Sequence, residues 1–485
     1  MIWYQGFFAG AIGLFFGVLV LSLFPISFFT AVLGIGIPVG IFGVFLRKRS
    51  FILIVLTLFF LGFFVGAYRY RQEEAAYYSM LSLARKCPKS ETPKEGEAIG
   101  MRRLSGSQYL VLVRITEGCF SGVKTRVVFP HSETEYGDRI GFSGPLTFYQ
   151  GTKFQGGWKK EGVVMEIRSQ EVMVLKQGEG VWRQIIEYRK AFLARIFSVM
   201  DARSAALAAG LIFGEDGYFS QTDLEKMNTT GLRHIIALSG ANLAAAGVVV
   251  FFLFRILLGR GTAFFLTSGI MFGYAMLAGF SGSVARAYFM YLIFLFSEVM
   301  ERKNASPRNA LAAAGALLLF FQPFVLSYDV GFLLSFAAVF GLLYLYPALQ
   351  KIVILEESVR HVFWYQALAL LSVMLMTTPI LLYYFHSFSF ISVAANLLLV
   401  PLTPYLMIIA ILIGAFGLVS LSITQGLWLL LELPFRFFFL LADFFSAHSF
   451  SLDIPLPFPI FVLYYLLLAI FFIKKDWVLG TRPIE

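Results

Sequence analysis

Residues 231–242 read Gly-Leu-Arg-His-Ile-Ile-Ala-Leu-Ser-Gly-Ala-Asn. This stretch places His234, Ser239 and Asn242, together with Gly231 and Gly240, at the mouth of a long apolar run. The core of a bilayer penalises each unpaired polar group by roughly several kcal/mol. Polar side chains and glycines at such a place therefore indicate a lined cavity, a tight contact between helices, or both.

The composition around this stretch indicates a polytopic α-helical membrane protein. Of the 485 residues, 58% are hydrophobic and 14% are charged, whereas roughly 25% of the residues in soluble proteins are charged. A bilayer-spanning helix needs about 20 apolar residues, and the chain has about twelve segments that reach or approach this length as spans or re-entrant segments. They are 6–24, 28–46, 51–67, 235–258, 262–280, 283–300, 309–322, 327–347, 362–385, 390–417, 420–445 and 456–473. The first lacks the basic start and the cleavage site of a signal peptide.

Basic loops predict the orientation of these spans. Arg47, Lys48 and Arg49 follow the second span, and the positive-inside rule places them in the cytoplasm. The N-terminus is then cytoplasmic, and residues 70–230 lie outside. On the same count the remaining basic loops fall on the cytoplasmic side: Arg255, Arg260, Arg302, Lys303, Arg308, Lys351, Arg360, Lys474 and Lys475.

The outer segment is basic and reads as a small all-β domain. Strands are predicted at 109–115, 123–129, 138–142, 162–167 and 171–175, separated by glycine-bearing turns. Five short strands suit an oligonucleotide-binding (OB) type of barrel. The net charge of the chain is +10, and residues 69–203 carry a large share of the positive excess. This excess fits either a surface beside anionic lipid headgroups or a face that handles a polyanion.

Aromatic and basic residues lie together in this domain and give it candidate DNA contacts. Aromatic rings stack bases and cations track phosphates, so the candidates are Arg126, Lys153, Trp158, Lys159 and Lys160. The alternative is that the aromatic residues are only core and rim of the barrel. The two cysteines, Cys87 and Cys119, also lie here, where an outer location permits a disulfide; two free thiols are the alternative.

Three helices are predicted after the barrel. Residues 181–199 alternate apolar and basic side chains and predict an amphipathic helix on the membrane surface. Residues 204–214 and 218–229 predict two more, the second capped by Ser220 or Thr222.

Polar residues inside the apolar segments are the functional candidates, because ionisable groups are rare there. Besides the opening stretch they are Arg286 after the small-residue run from Gly282, Asp329 with Gly331 and Ser335, and Asn396 before Pro401. These residues are candidates for the polar lining of a path or for stabilising helix breaks. The alternative is that Arg286 and Asp329 pair and simply hold helices together.

The sequence contains no motif typical of metal or nucleotide chemistry. The five histidines (131, 234, 361, 386 and 448) are scattered, and no cysteine pair has zinc spacing. A phosphate-binding loop of the Gly-x-x-x-x-Gly-Lys-Ser/Thr type is missing, and Ser239 lacks the Gly-x-Ser-x-Gly setting. We therefore expect no cofactor and no enzymatic activity.

The polar stretches occur together in one known family. The chain resembles the ComEC family of competence proteins, the inner-membrane channels for DNA uptake. Residues 206–214 resemble the entry motif and residues 230–240 the hallmark; Gly282–Met290, Asp329–Phe336 and Ala395–Pro401 follow in the family's order. The resemblance implies passage of single-stranded DNA across the cytoplasmic membrane, with Arg286 as a candidate phosphate contact or gate brace. It also implies the lipid bilayer and other competence proteins as partners: a DNA receptor, a cytoplasmic helicase and a separate nuclease.

The resemblance implies a five-part organisation. Three N-terminal transmembrane helices (1–68) precede the extracytoplasmic OB-like domain (69–180) and interfacial helices (181–230), and a transmembrane channel domain (231–475) and a short cytoplasmic tail (476–485) follow. The chain departs from the family in two ways. The C-terminal metallo-β-lactamase-like nuclease domain of many members is not expected here, and Asn242 stands where the hallmark usually has a histidine. A multipass transporter of a small solute or lipid, or an assembly subunit, stays open as an alternative.

Overall fold

A computed structural model describes residues 11–19, 50–88, 93–103, 109–130, 134–150, 156–236, 240–279, 282–299, 307–352, 360–419 and 428–474. Ser239, Lys153, the predicted span 28–46, the basic residues 47–49 and 302–303, and the predicted tail lie outside these ranges.

A long helix connects the N-terminal apolar region with the β domain. Helix α1 covers residues 11–19, and α2 covers Ser50–Lys86. The two helices pack closely through small residues: Gly17 lies against the Phe63 carbonyl, and Gly66 lies against that of Leu14. Such contacts are common between helices in membranes. Helix α2 continues 19 residues past the predicted membrane exit at residue 67 and ends beside the β domain.

The β domain is a seven-stranded sheet. Its strands are β1 (Glu95–Arg103), β2 (Tyr109–Ile115), β3 (Lys124–Phe129), β4 (Arg139–Phe142), β5 (Leu146–Phe148), β6 (Met165–Arg168) and β7 (Val172–Lys176). The five predicted strands are present, and β1 and β5 are additional. Strand β1 escaped prediction because Glu-Gly-Glu-Ala-Ile-Gly-Met-Arg-Arg does not alternate apolar with polar residues, and β5 because it has three residues.

The hydrogen-bonded order of the sheet is β5-β6-β3-β2-β1-β4-β7. Strands β3 and β6 are parallel, and the other pairs are antiparallel. Strands β4 and β5 are consecutive in the chain, yet β4 pairs with β1 and β5 with β6. The segment between β4 and β5 is bonded to β6, since the Arg168 amide donates a hydrogen bond to the Pro145 carbonyl at 3.3 Å. Residues 139–148 therefore join the two sides of the sheet around a buried core of alternating side chains: Val111, Val113, Val127, Phe129, Ile140 and Ile167.

A six-residue helix, α3 (Gly156–Glu161), lies between β5 and β6. Three helices follow the sheet: α4 (Val181–Val199), α5 (Ala202–Phe213) and α6 (Gln221–Thr229). Asp201 caps α5 and Ser220 caps α6, each accepting a hydrogen bond from a backbone amide of the first turn.

The rest of the chain is a helical bundle. Its elements are α7 (Arg233–Ile236), α8 (Gly240–Leu258), α9 (Arg260–Leu277), α10 (Gly282–Val299), α11 (Pro307–Phe321), α12 (Val325–Tyr328), α13 (Val330–Phe340), α14 (Tyr346–Ile352), α15 (Arg360–Phe385), β8 (Ser387–Ser389), α16 (Ile391–Leu399), α17 (Thr403–Val419), α18 (Trp428–Ala447), β9 (Ser451–Asp453) and α19 (Phe458–Lys474). A π-helical turn joins α13 to α14, and a 3₁₀ turn, Val400–Leu402, joins α16 to α17.

Within the described ranges, three continuous helices are long and apolar enough to cross a bilayer: Val330–Lys351, Trp364–Phe385 and Ile391–Gly417. One side of the amphipathic helix α4 is buried. This side packs on α17, where Phe192 lies over Gly414 and Arg195 lies over Gly417. The chain is thus a largely helical membrane protein that carries a small sheet.

Candidate functional site

The stretch from Gly231 forms a sharp connection between helices. Helix α6 ends at Thr229, Gly231 adopts a φ of +69°, and α7 begins at Arg233. A Cβ atom at Gly231 would lie 2.7 Å from that of Ser392 on α16. Glycine is required here both for the left-handed backbone and for the close approach of α16. The predicted packing residue Gly231 therefore joins the opening stretch to the helix that carries Asn396.

The polar side chains of this connection have local partners. His234 is exposed, and its Nδ1 lies 3.0 Å from the Gly231 carbonyl oxygen. Arg233 forms an ion pair with Asp216 at 2.7 Å. The backbone resumes as α8 at Gly240, which places Asn242 in the first turn of that helix.

Asn396 lies within the bundle. It is 7% exposed, and its Oδ1 has no hydrogen-bond partner among the described residues. Pro401 lies in the 3₁₀ turn that interrupts the helix four residues later, as its lack of an amide donor favours. A buried acceptor without a donor is costly in a packed core, so this position fits a hydrated or ligand-contacting role.

Arg286 and Asp329 lie together, although 43 residues separate them. Arg286 on α10 is buried, and its Nη1 donates to Asp329 Oδ2 at 3.2 Å. Asp329 also caps α13 by accepting from the Phe332 amide at 3.2 Å. Gly331, in the first turn of α13, lies beside the guanidinium, and Ser335 donates to the Phe332 carbonyl. The alternative in which Arg286 and Asp329 pair with each other is thus the arrangement present.

A third charge reaches this pair from the β domain. Lys160 on α3 donates to Asp329 Oδ2 at 2.9 Å. Both cations therefore share one acceptor oxygen, Asp329 Oδ2. One carboxylate therefore connects the β domain with the helical bundle. We refer to Lys160, Arg286 and Asp329 as the charged junction.

The neighbouring residue Lys159 also points into the molecule. It is 3% exposed and pairs with Glu74 on α2 at 3.1 Å. Four aromatic rings surround its ammonium group within 6 Å: Tyr77, Tyr78, Phe324 and Tyr328. Burial opposes the charge, but Tyr328 and Glu74 outweigh burial and raise the pKa of Lys159. Lys159 was predicted to contact DNA, but its side chain is enclosed within the protein and does not face solvent.

The other candidate DNA contacts are engaged within the protein. Arg126 on β3 binds Glu161 at 2.5 Å and lies over the buried ring of Trp158. Lys160 belongs to the charged junction. The aromatic residue Trp158 is therefore core, as the alternative interpretation held. Arg168 and Lys176 are cations of the sheet with strongly exposed side chains.

Cys87 and Cys119 are joined by a disulfide, with 5.8 Å between their Cα atoms. The bond fastens the end of α2 to the turn between β2 and β3. Nearby, the Tyr77 hydroxyl donates to the Val163 carbonyl at 2.8 Å, and Arg85 donates to that of Tyr149. Helix α2 and the β domain thus form one packed unit.

A second charged cluster was missed by the sequence reasoning. Arg203 binds Asp443 through two hydrogen bonds of 2.7 Å and Asp223 at 2.8 Å, and Lys226 also binds Asp443. Beside them, Glu432 accepts from Ser204 at 2.5 Å. The signal was available, since Glu432, Arg436 and Asp443 are charged residues inside the apolar segment 420–445.

Comparisons with known proteins identify the relatives. The Competence family, described as "Competence protein", matches residues 211–477, which is more than half of the chain. ComE operon protein 3 of Bacillus subtilis (strain 168) is 28% identical over 244 residues, which are 50% of this chain and 30% of that protein. Recombination protein 2 of Haemophilus influenzae (strain ATCC 51907 / DSM 11121 / KW20 / Rd) is 30% identical over 228 residues, 43% of this chain and 28% of that protein.

No solved structure matches the chain. The chain aligns with less than a third of the length of either curated relative. The five polar stretches, the helical membrane architecture and the match over residues 211–477 agree, and the chain belongs to the Competence protein family, the ComEC family that its motifs resemble.

Proposed function

We propose that this membrane protein of the competence machinery forms the path by which single-stranded DNA crosses the cytoplasmic membrane. The charged junction is the observation that carries the proposal. A DNA strand needs a polar path, since hydrocarbon does not accept a phosphate charge. Arg286 is a buried cation in the bundle, and the Lys160–Asp329 contact connects it to a β domain outside the apolar segments.

In this proposal, phosphates take the place of Asp329 as the partner of Arg286. Arg286 Nε has no hydrogen-bond partner among the described residues, so the guanidinium retains capacity for a further acceptor. Asp329 keeps the cation neutralised when no strand is present. Asn396, Asn242 and His234 would line the path, and Gly231 and Pro401 would hold the helix breaks. The proposal assigns a transport role and no catalytic one.

The proposed topology follows the basic loops. The chain has about twelve spans or re-entrant segments, a cytoplasmic N-terminus and an extracytoplasmic β domain. The strand pairing supports an OB-type barrel, because β1, β2 and β3 form a meander, β3 pairs in parallel with β6, and residues 139–148 close the ring. We also propose a DNA receptor, a helicase and a separate nuclease as partners.

The test is substitution of Arg286 in the bacterium that encodes the chain. Arg286→Ala should lower uptake of labelled DNA by about 100-fold or more, because a buried charge contact is lost. Arg286→Lys, which keeps the charge, should retain part of the activity. Arg260→Ala, at an exposed arginine, is the matched control. Immunoblots of membranes measure insertion, and wild-type uptake by a normally inserted Arg286→Ala protein would overturn the assignment.

A binding measurement separates this proposal from transport of a small solute or lipid. The full-length protein in detergent should bind single-stranded DNA with an affinity that falls steeply as salt rises, since phosphate contacts release counterions. Absence of binding at low salt, together with transport of a solute into liposomes without DNA, would favour the alternative.

A further inference from the structure

Glu432 is a buried carboxyl group in the middle of α18. It is 1% exposed, Ser204 donates to its Oε1 at 2.5 Å, and its Oε2 has no hydrogen-bond partner among the described residues. An isolated, ionised carboxylate in such surroundings is very costly. Either a donor or a proton is therefore needed at the second oxygen.

The neighbouring group is a second carboxyl, not a donor. Ser204 and Arg436 each reach both carboxyl groups and hold them next to each other: Ser204 donates its amide to Asp201 and its hydroxyl to Glu432, and Arg436 ion-pairs with both. Two ionised carboxylates only accept hydrogen bonds, so a bond between them requires one proton. Asp201 is already satisfied as an anion, because the Ser204 amide donates to its Oδ1 at 3.1 Å and Arg436 lies 3.4 Å from its Oδ2. The proton therefore belongs on Glu432.

The surrounding charges leave one cation for this pair. On α5 and α6, Arg203 and Lys226 bind Asp443 and Asp223, so these four groups neutralise one another. On α18, Arg436 lies 3.5 Å from Glu432 Oε1 as well as beside Asp201. Helices α16 and α17, which also pack on α18, carry no charged residue. Arg436 can therefore stabilise the second negative charge when the proton leaves.

Asp201 also faces a cavity that is large enough to hold water. A cavity of about 410 Å³ opens beside the pair and is lined by Asp201, Ser204 and Arg436, with Arg203, Phe439, Leu440 and Asp443. Its volume accommodates several water molecules. Asp201 thus stands between the buried Glu432 and solvent.

We propose that Asp201 and Glu432 share one proton, and that its release to water in this cavity and its return are required for DNA transport. In the release step the O–H bond of Glu432 breaks, the proton passes by way of Asp201 to a water molecule, and both carboxylates remain as anions beside Arg436. The return step reverses these transfers. The role in transport rests on the proposed function; the shared proton does not.

The test uses Glu432→Gln, because glutamine has the shape and donor of a protonated glutamic acid but cannot release a proton. A purely structural role would be kept by this variant. We expect DNA uptake to fall by about 100-fold, the range that proton-transferring groups contribute, with normal amounts of protein in the membrane. Glu432→Asp should restore part of the uptake. Glu225→Gln, the same change on the exposed face of α6, is the matched control and should leave uptake unchanged.

A second measurement addresses the shared proton directly. Infrared spectra of the purified full chain should show the band of a protonated carboxyl group at neutral pH, and Glu432→Gln should remove it. Wild-type uptake by Glu432→Gln would overturn the role in transport, and absence of the band from the wild type would overturn the shared proton. If the wild type takes up no DNA, the proposed function fails while the band still decides whether the proton is shared.

Discussion

At Asp329, one carboxylate oxygen accepts from Lys160 of the β domain and from Arg286 of the helical bundle. The sequence predicted Arg286, Asp329 and Lys160 as candidates from the cost of charges in apolar segments and from the basic residues of the β domain. The pairing of Arg286 with Asp329 was one of two alternatives, and the contact of Lys160 with this pair was not predicted, because it depends on how α3 packs against α10 and α13. For Lys159 and Lys160 the sequence offered identical chemistry, and only the packing distinguishes the enclosed side chain from the one that reaches Asp329.

Asp329→Asn should destabilise the protein by about 3 kcal/mol at pH 7, because it leaves Arg286 buried without its counter-ion. The variant also loses the acceptor of Lys160. Its melting temperature at pH 7 should therefore lie below that of the wild type.

Thermal unfolding of the purified protein in detergent at pH 7 measures the effect. Asp216→Asn, which removes the partner of the more exposed Arg233, is the control and should cost about 1 kcal/mol or less. Equal melting temperatures of the wild type and Asp329→Asn would contradict the role of Asp329 as the counter-ion of Arg286.

Among the elements, those with strong periodicity were predicted well. Strands β2 and β3 alternate buried and less buried residues along their length, which is the pattern that sequence analysis detects. Strand β1 has no such pattern and is held by its partners β2 and β4 instead. The predicted segment 390–417 is present as one span-capable helical run, Ile391–Gly417, and the 3₁₀ turn that contains Pro401 lies within it between α16 and α17.

The connection at Gly231 gives a prediction for the helices it joins. Gly231→Ala should destabilise the protein by more than Gly122→Ala. Both glycines have a positive φ, but a Cβ at Gly122 meets no atom within 4 Å, whereas one at Gly231 meets Ser392. The positive φ strains an alanine at either position, and the clash adds to this strain at Gly231 alone.

Thermal unfolding of both variants measures the two costs. Ser392→Gly should recover the additional loss in the Gly231→Ala background and should have no such effect with Gly122→Ala. Equal destabilisation by the two alanine variants would show that α16 does not rest on Gly231.

Across the whole molecule, the β domain is attached to the helices by three kinds of contact. The disulfide Cys87–Cys119 fastens it to α2, Lys159 enters an aromatic cage between α2 and α12, and Lys160 binds Asp329. The predicted domain boundaries lie at residues 68 and 180, and α2 continues without interruption through the first of them. The length of α2 was underestimated because the charged second half of the helix resembles a soluble linker when its contacts are unknown.

Reduction of the disulfide should loosen this attachment. The bond closes a separation of 32 residues, for which chain entropy predicts a stabilisation of about 3–4 kcal/mol. A reductant should therefore lower the melting temperature of the full chain in detergent, and the Cys87→Ser/Cys119→Ser double variant should be insensitive to it. Equal melting of the oxidised and reduced wild type would contradict a stabilising role.

The shared carboxylate at Asp329 also has a thermodynamic consequence. If an anion binds Lys160 and removes it from Asp329, the ion pair between Arg286 and Asp329 becomes stronger. If an anion binds Arg286, the ion pair between Lys160 and Asp329 becomes stronger. Occupancy of the outer domain and of the bundle would then be anticooperative, and reciprocity requires the same penalty in both directions. If DNA follows the proposed path, a strand passed from the β domain to the bundle would be released from the first as it binds the second, which would favour forward movement over tight retention at either position.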